Sequence, residues 1–161
     1  MKRFLLLLLG VAVLSFGGRA LVRALASDET KIRWLVERMV AGYAEGDVGD
    51  CIGAFAPDWT HEGHEITREL LRGALIQTSR ERDPATKQSL SRVDIVEDML
   101  SVTVEGDSAR LACEADFSRL RKGTWEPTWT MRAEADLTRG EDGWKIVRSR
   151  HQDLRGTELG R

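Results

Sequence analysis

The sequence predicts an α+β fold, with amphipathic helices covering the dry face of an antiparallel sheet, and three observations carry that prediction. First, Ala109, Leu111, Cys113, Ala115 and Phe117 alternate with mostly polar residues (Arg110, Glu114, Asp116, Ser118). The same parity returns in Trp129, Met131, Ala133, Ala135 and Leu137, set against Thr130, Arg132, Glu134, Asp136 and Thr138. A two-residue period belongs to strands with one buried and one wet face. Second, the apolar residues upstream recur at intervals of three and four, the spacing of a helical stripe. Third, helices come before strands along the chain, an α+β order.

The elements follow in order. Lys2 and Arg3 precede an apolar run from Phe4 to Phe16, and Ala24-Leu25-Ala26 forms a small-x-small cleavage signal ahead of Ser27. If Arg19 and Arg23 snorkel, residues 4–25 reach the ~20 residues that span a bilayer. Residues 1–27 therefore read as a signal peptide or a membrane anchor preceding the domain, and both readings stay open. Either one makes the domain extracytoplasmic, periplasmic or secreted; the anchor reading also makes the inner membrane a partner.

Ser27 or Asp28 can cap a helix that carries Ile32, Leu35, Val36, Met39, Val40 and Tyr43 on one stripe and ends at Gly46. A short helix is expected over Val48–Phe55, closed by Pro57. Trp59-Thr60-His61-Glu62 is a brief strand or an extended turn. Thr67 caps a third helix, with Ile66 placed to staple against Leu71. Its apolar positions are Leu70, Leu71, Ala74 and Leu75, and it stops before Pro84.

From Leu90 onward the chain reads as strand. Val93–Val96 and Ser101–Val104 are separated by a bulge or break near Met99. Glu105-Gly106-Asp107, Arg121-Lys122-Gly123 and Gly140-Glu141-Asp142-Gly143 signal hairpin turns. Pro127 lacks a ladder donor, which calls for an edge or a bulge. The last strand leaves two parities open. If Trp144 and Ile146 face inward, Arg148 and Arg150 follow them; if Val147 does, Ser149 and His151 follow. The domain spans residues 28–154, and 155–161 form a loose tail.

At 161 residues the chain suits one domain with a real core. The net charge of −2 hides an asymmetry, since residues 1–27 hold Lys2, Arg3, Arg19 and Arg23 and no acid, leaving 20 basic against 26 acidic residues in the rest. A moderately acidic domain without a basic stripe is a poor nucleic-acid binder. Cys51 and Cys113 both fall among apolar neighbours and read as small buried side chains; whether they pair stays open.

Tyr43-Ala44-Glu45-Gly46-Asp47, Phe55-Ala56-Pro57-Asp58-Trp59 and the closing Gly143-Trp144-Lys145-Ile146-Val147, in that order and spacing, resemble the nuclear transport factor 2-like superfamily over about residues 28–153. That superfamily includes ketosteroid isomerases and polyketide cyclase-like (SnoaL-like) proteins. The resemblance implies a cystatin-like cone, a strongly curved antiparallel sheet around the helices, often with a pocket at the open end. It also implies a homodimer through the wet face, here a charged one.

The isomerase constellation does not carry over. Its Tyr falls at Met39 and its general base at Gly63, and neither can move a proton. No Gly-x-Ser-x-Gly turn or glycine-rich phosphate loop is present. His61-Glu62-Gly63-His64-Glu65 reads as a polar turn into the Thr67 helix. As a metal site it would need His61, His64 and His151, with a spacing unlike that of a zinc protease helix.

No cofactor or metal is called for, and no catalytic set is assigned. Tyr43, Trp59, His61, Phe117, Trp129, Met131 and His151 are the candidate pocket lining, although aromatic residues on a buried sheet face also serve as plain core. The reading is a binding domain for a small apolar or amphipathic molecule. The alternatives are an isomerase- or cyclase-like enzyme using His61 or His151 with Glu62 or Asp116, and a membrane-tethered assembly module.

Overall fold

A computed structural model describes residues 25–63 and 65–156. Helix α1 (Asp28–Glu45) starts where Ser27 Oγ accepts the Thr30 amide at 3.2 Å and ends at Gly46, whose φ of 77° closes the last turn. Few residues other than glycine adopt that backbone at no cost. The space a Cβ would need at Gly46 is taken by the guanidinium of Arg82, which donates to the Glu45 carbonyl at the helix end. Ile32, Leu35 and Val36 are buried, with Met39 and Val40 packed beside them, so the stripe read from the sequence is the buried face.

Helix α2 (Val48–Ile52) is capped by Asp47 and is shorter than the sequence suggested. The chain turns extended at Phe55, and strand β1 (Phe55–His61) includes Pro57. Because β1 is an edge strand, the missing Pro57 N–H breaks no interior ladder.

Helix α3 (Arg68–Arg80) is capped by Thr67, which accepts the Leu70 amide at 3.3 Å. Its dry side is rotated from the expected one. Leu71 and Leu75 are half-buried, whereas Leu70 is 60% exposed and Ala74 faces solvent. Leu70, Leu71, Ala74 and Leu75 together span more of the helix circumference than α2 and β1 can shield, so Leu70 is left in water.

Strands β2 (Ser91–Ile95), β3 (Ser101–Glu105), β4 (Ser108–Arg121), β5 (Thr124–Gly140) and β6 (Gly143–Gly156) complete one six-stranded sheet in the order β1-β6-β5-β4-β2. The long edge of β4 is shared, with β3 pairing Ser108–Ala112 and β2 pairing Ala115–Arg119. The 3₁₀ turn Glu97–Met99 between them is the break expected near Met99. The three hairpin turns fall where the glycine signals put them.

One expectation is corrected. The sheet is mixed rather than antiparallel throughout, because β1 pairs parallel with β6 (Thr60 with Arg148, His61 with Ser149). Parallel pairing requires a long connection, and most of the chain lies between these two strands.

Three bulges shape the antiparallel part of the sheet, and a fourth irregularity interrupts the β1–β6 pairing between Phe55 and Thr60. Thr128 is extra between the pairs Phe117–Trp129 and Ser118–Pro127, the irregularity that Pro127 demanded. Leu154 is extra between Thr130–Arg155 and Met131–Asp153, and Val147 between Asp136–Arg148 and Leu137–Ile146. An extra residue bends a strand and reverses its side-chain parity.

The core cluster is built on Ile32, Leu35, Val36, Trp59, Leu111, Leu137, Trp144 and Ile146. Ile32 is wholly buried and Leu137 is 1% exposed; burying such a side chain stabilises the fold by roughly 1.5–3 kcal/mol. Cys51 and Cys113 are buried free thiols. The opposite sheet face carries cross-strand ion pairs, Arg132–Glu114 at 2.6 Å and Arg150–Glu134 at 2.5 Å among them. Lying on the solvent side, such pairs contribute little to stability.

Strand β6 continues past the expected domain end to Gly156, and residues 157–161 lie outside the described residues. So does the expected signal or anchor, apart from its last three residues. Among the described residues no helix is long and apolar enough to cross a membrane.

Candidate functional site

One part of the inner sheet face, continuous with the core at Trp59, gathers the aromatic and imidazole side chains. Trp59 and His61 are two apart on β1, so they share a face. On β6, Trp144 and Ile146 point inward and the Val147 bulge then resets the alternation. Ser149, His151 and Asp153 therefore turn to the inner side, while Arg148 and Arg150 turn outward to Glu62, at 3.6 and 3.7 Å. The two parities left open by the sequence are both realised, one on each side of the bulge.

The rings form one continuous series. Tyr43 meets Phe117 edge-on at 6.0 Å, Phe117 stacks on Trp129 at 4.6 Å, and Trp129 meets His151 edge-on at 5.6 Å. His151 stacks on His61 at 5.0 Å, His61 lies 6.0 Å from Trp59, and Trp59 meets Phe55 at 4.9 Å. Met131 is half-buried one pair along from Trp129 on β5, opposite Ala115 and Asp153. All seven residues singled out in the sequence thus fall in one region. Trp59 and Trp129 are buried to 7% and 9% exposure, and the others are half-buried.

A second, polar series runs through the same side chains. Trp59 Nε1 donates to Ser149 Oγ at 3.0 Å, and Ser149 Oγ lies 2.9 Å from His61 Nδ1. His61 Nε2 lies 3.0 Å from His151 Nδ1, a hydrogen bond between two imidazoles. His151 Nε2 faces Asp153 Oδ1 at 3.7 Å, and the same carboxylate oxygen accepts Trp129 Nε1 at 2.7 Å. Both indole N–H groups are thereby satisfied, as buried tryptophan requires.

Ser149 and Asp153 were missed as site residues. Their i, i+2, i+4 spacing with His151 is visible in the sequence, but only a bulge at Val147 turns that set inward.

The partners proposed for the histidines are corrected. Glu62 is exposed and engaged with Arg148 and Arg150. Asp116 accepts from Thr130 Oγ1 at 2.6 Å and faces Arg155 at 3.8 Å, on the side away from Phe117. Ser149 and Asp153 take the place assigned to them. His64 lies outside the described residues.

Burial raises the Tyr43 phenol above its ordinary range, opposed by a hydrogen bond to Ser91. Burial also pushes both thiols up to about 11, that of Cys51 aided by Asp47 and Asp50. Neither cysteine is a nucleophile near neutrality. A cleft of about 10 Å³, room for one water, lies away from the histidines between α1 and α3, lined by Tyr43, Cys51, Leu75 and Ser79 among others.

Helices laid against a curved mixed sheet form the cystatin-like architecture of the nuclear transport factor 2-like superfamily. Within it the chain belongs to the SnoaL-like domain family, whose model matches residues 24–150.

Solved structures agree. An NTF2-like protein with a cystatin-like fold from Novosphingobium aromaticivorans is 24% identical at a TM-score of 0.66, covering 88% of this chain and 91% of that one. A protein of unknown function from Mycobacterium tuberculosis is 18% identical at 0.64, covering 78% and 76%. A candidate dehydratase of the NTF2-like family from Streptomyces avermitilis is 12% identical at 0.61, covering 80% and 97%. No curated protein matches the chain. At these identities the likeness is one of fold.

Proposed function

We propose that this domain binds a small, flat, largely apolar molecule carrying one polar head, seated at the aromatic end of the sheet. The observation that carries the reading is the unbroken ring series from Tyr43 to Trp59, interrupted only by the imidazole pair. Aromatic faces supply apolar area with defined geometry, and a few convergent polar atoms fix orientation, the usual composition of a small-molecule site. The rings are in mutual contact, so a guest must part them on entry. Export or tethering through residues 1–27 belongs to the same proposal, and cell fractionation with an epitope on the C-terminus tests it.

Titration with 2-naphthol and 1-naphthoic acid, followed by tryptophan fluorescence, tests binding. The expected result is saturable quenching that Trp129→Phe reduces. Failure of both probes to give a saturable response overturns the reading.

The contact between His61 Nε2 and His151 Nδ1 favours a second reading, an acid–base enzyme acting on such a guest. Two imidazoles within hydrogen-bond reach, one facing a carboxylate, meet the geometric requirement for moving a proton to or from a bound molecule. Solvent deuterium exchange at the α-carbons of 2-tetralone tests it. Acceleration that His151→Gln removes supports the enzyme; a rate no faster than in buffer overturns it.

A further inference from the structure

We propose that Ser149 is a positioning residue that sets which nitrogen of each imidazole carries hydrogen, giving the chain Trp59–Ser149–His61–His151–Asp153 a single direction. The inference deepens the reading above, in which the imidazole pair is the polar centre of the site. It rests on donor and acceptor arithmetic.

The indole Nε1 of Trp59 can only donate, so it occupies one lone pair of Ser149 Oγ. The serine hydroxyl then has its own hydrogen to place, and His61 Nδ1 stands 2.9 Å away. If His61 Nδ1 accepts it, His61 carries its hydrogen on Nε2 and donates to His151 Nδ1 at 3.0 Å. His151 in turn carries its hydrogen on Nε2, directed at the Asp153 carboxylate 3.7 Å away. Each of these four contacts joins a hydrogen to a lone pair.

The reverse order fails at its far end for neutral rings. With hydrogen on His61 Nδ1, the serine oxygen receives two donors and its own hydrogen must leave the series. His61 Nε2 is then bare, His151 must donate from Nδ1, and His151 Nε2 presents a lone pair to the Asp153 carboxylate. Two negative partners face each other there, an unfavourable contact at a half-buried position.

The forward order also defines a path for a proton. When His61 Nδ1 gains a proton, the serine hydroxyl turns away. The Nε2–H bond of His61 breaks as a new N–H bond forms at His151 Nδ1, and the positive charge moves to the ring beside Asp153. His61 is left neutral with hydrogen on Nδ1. Two N–H bonds form, at His61 Nδ1 and His151 Nδ1, and one breaks, at His61 Nε2; the additional proton is the one delivered to His61 Nδ1 by solvent hydronium or an acidic O–H of the guest, which leaves as water or the conjugate base. Ser149 therefore governs the resting state of the relay without touching a guest.

The test is long-range ¹⁵N–¹H NMR of the full chain labelled at histidine, which reads the tautomer of each ring directly. The protein has three histidines, so single His→Gln variants assign the signals. In the wild type at a pH where both rings are neutral, His61 and His151 are expected as Nε2–H forms. Ser149→Ala is expected to turn His61 into a mixture of tautomers, and Ser149→Thr, which keeps the hydroxyl, to restore the single form.

A wild-type His61 in the Nδ1–H form overturns the proposal. So does a tautomer unchanged in a folded Ser149→Ala variant. Should that variant not fold, the wild-type spectrum alone decides. None of these readouts involves a guest, so the proposal and the binding reading can fail separately.

Discussion

Trp129 Nε1 donates to Asp153 Oδ1 at 2.7 Å, and each partner stands next to a bulge, Thr128 before the indole and Leu154 after the carboxylate. The bond pins β5 to β6 where both strands leave regular pairing. It also holds the carboxylate oxygen that faces His151.

Asp153→Ala removes the acceptor of a buried indole N–H. A hydrogen bond to a charged group contributes about 1.5–3 kcal/mol, and the half-exposed carboxylate argues for the lower part of that range. The expected loss is about 1–2 kcal/mol in urea unfolding, with a shift in tryptophan emission, whereas Leu154→Ala on the outer side changes stability by less than about 0.5 kcal/mol. Equal effects of the two substitutions would assign the bond no special weight.

The core and the outer helix face should separate clearly. Leu137 is 1% exposed, so Leu137→Ala is expected to cost about 2–5 kcal/mol, read from the denaturation midpoint. Leu70 is 60% exposed, and Leu70→Ala is expected to stay within about 0.5 kcal/mol. A large loss at Leu70 would mean that α3 packs with a different rotation.

The sequence was legible where one local pattern decided the outcome. The alternation from Ala109 to Phe117 and from Trp129 to Leu137, the Ser27 and Gly46 helix limits and the Pro127 bulge are all local. The partner of β1 was not legible, because nothing in Phe55–His61 states whether β6 runs alongside it or against it. Nor was the inward set Ser149, His151 and Asp153, since Trp144 and Val147 are both apolar and either parity looks sound from sequence. The seven aromatic, methionine and histidine candidates were named from side-chain type, and the two polar groups that contact them, Ser149 and Asp153, were not named because both depend on register.

Thiol chemistry gives a prediction with a defined sign. Burial raises both cysteines to about 11 in the fold, against about 8.5 in an unfolded chain. The neutral thiol is favoured by folding, so this contribution is present in full below the unfolded value and is lost as pH rises through the folded one. The melting temperature is expected to fall between about pH 8.5 and 11, less steeply in Cys113→Ala measured against its own pH 8 value. Native protein at neutral pH should react with a thiol-specific disulfide reagent only at the rate of unfolding.

Asp28 gives the opposite sign. Its carboxylate accepts from Trp144 Nε1 at 3.3 Å and Lys31 Nζ at 3.2 Å and pairs with Arg139 at 2.7 Å. The Trp144 hydrogen bond is the foremost of the partners that hold Asp28 below the ordinary carboxylate value. The stabilisation is present above the unfolded value and lost as pH falls through the folded one. Acid unfolding followed by circular dichroism should show Asp28→Asn converging on the wild type below about pH 4. A constant gap between the two down to the lowest pH would exclude this linkage.

Val147 works on the sheet as a single inserted letter works on a message read in pairs. Pair the strand regularly through Val147 instead, and every later side chain of β6 changes sides, sending Arg148 and Arg150 to the interior and His151 to solvent without altering any residue of the cluster. In proteins that share this scaffold, the presence or absence of such a bulge decides which alternate residues of the last strand face the interior. Comparing such proteins by bulge position before comparing them by residue type would sort them more cleanly than aligned identities.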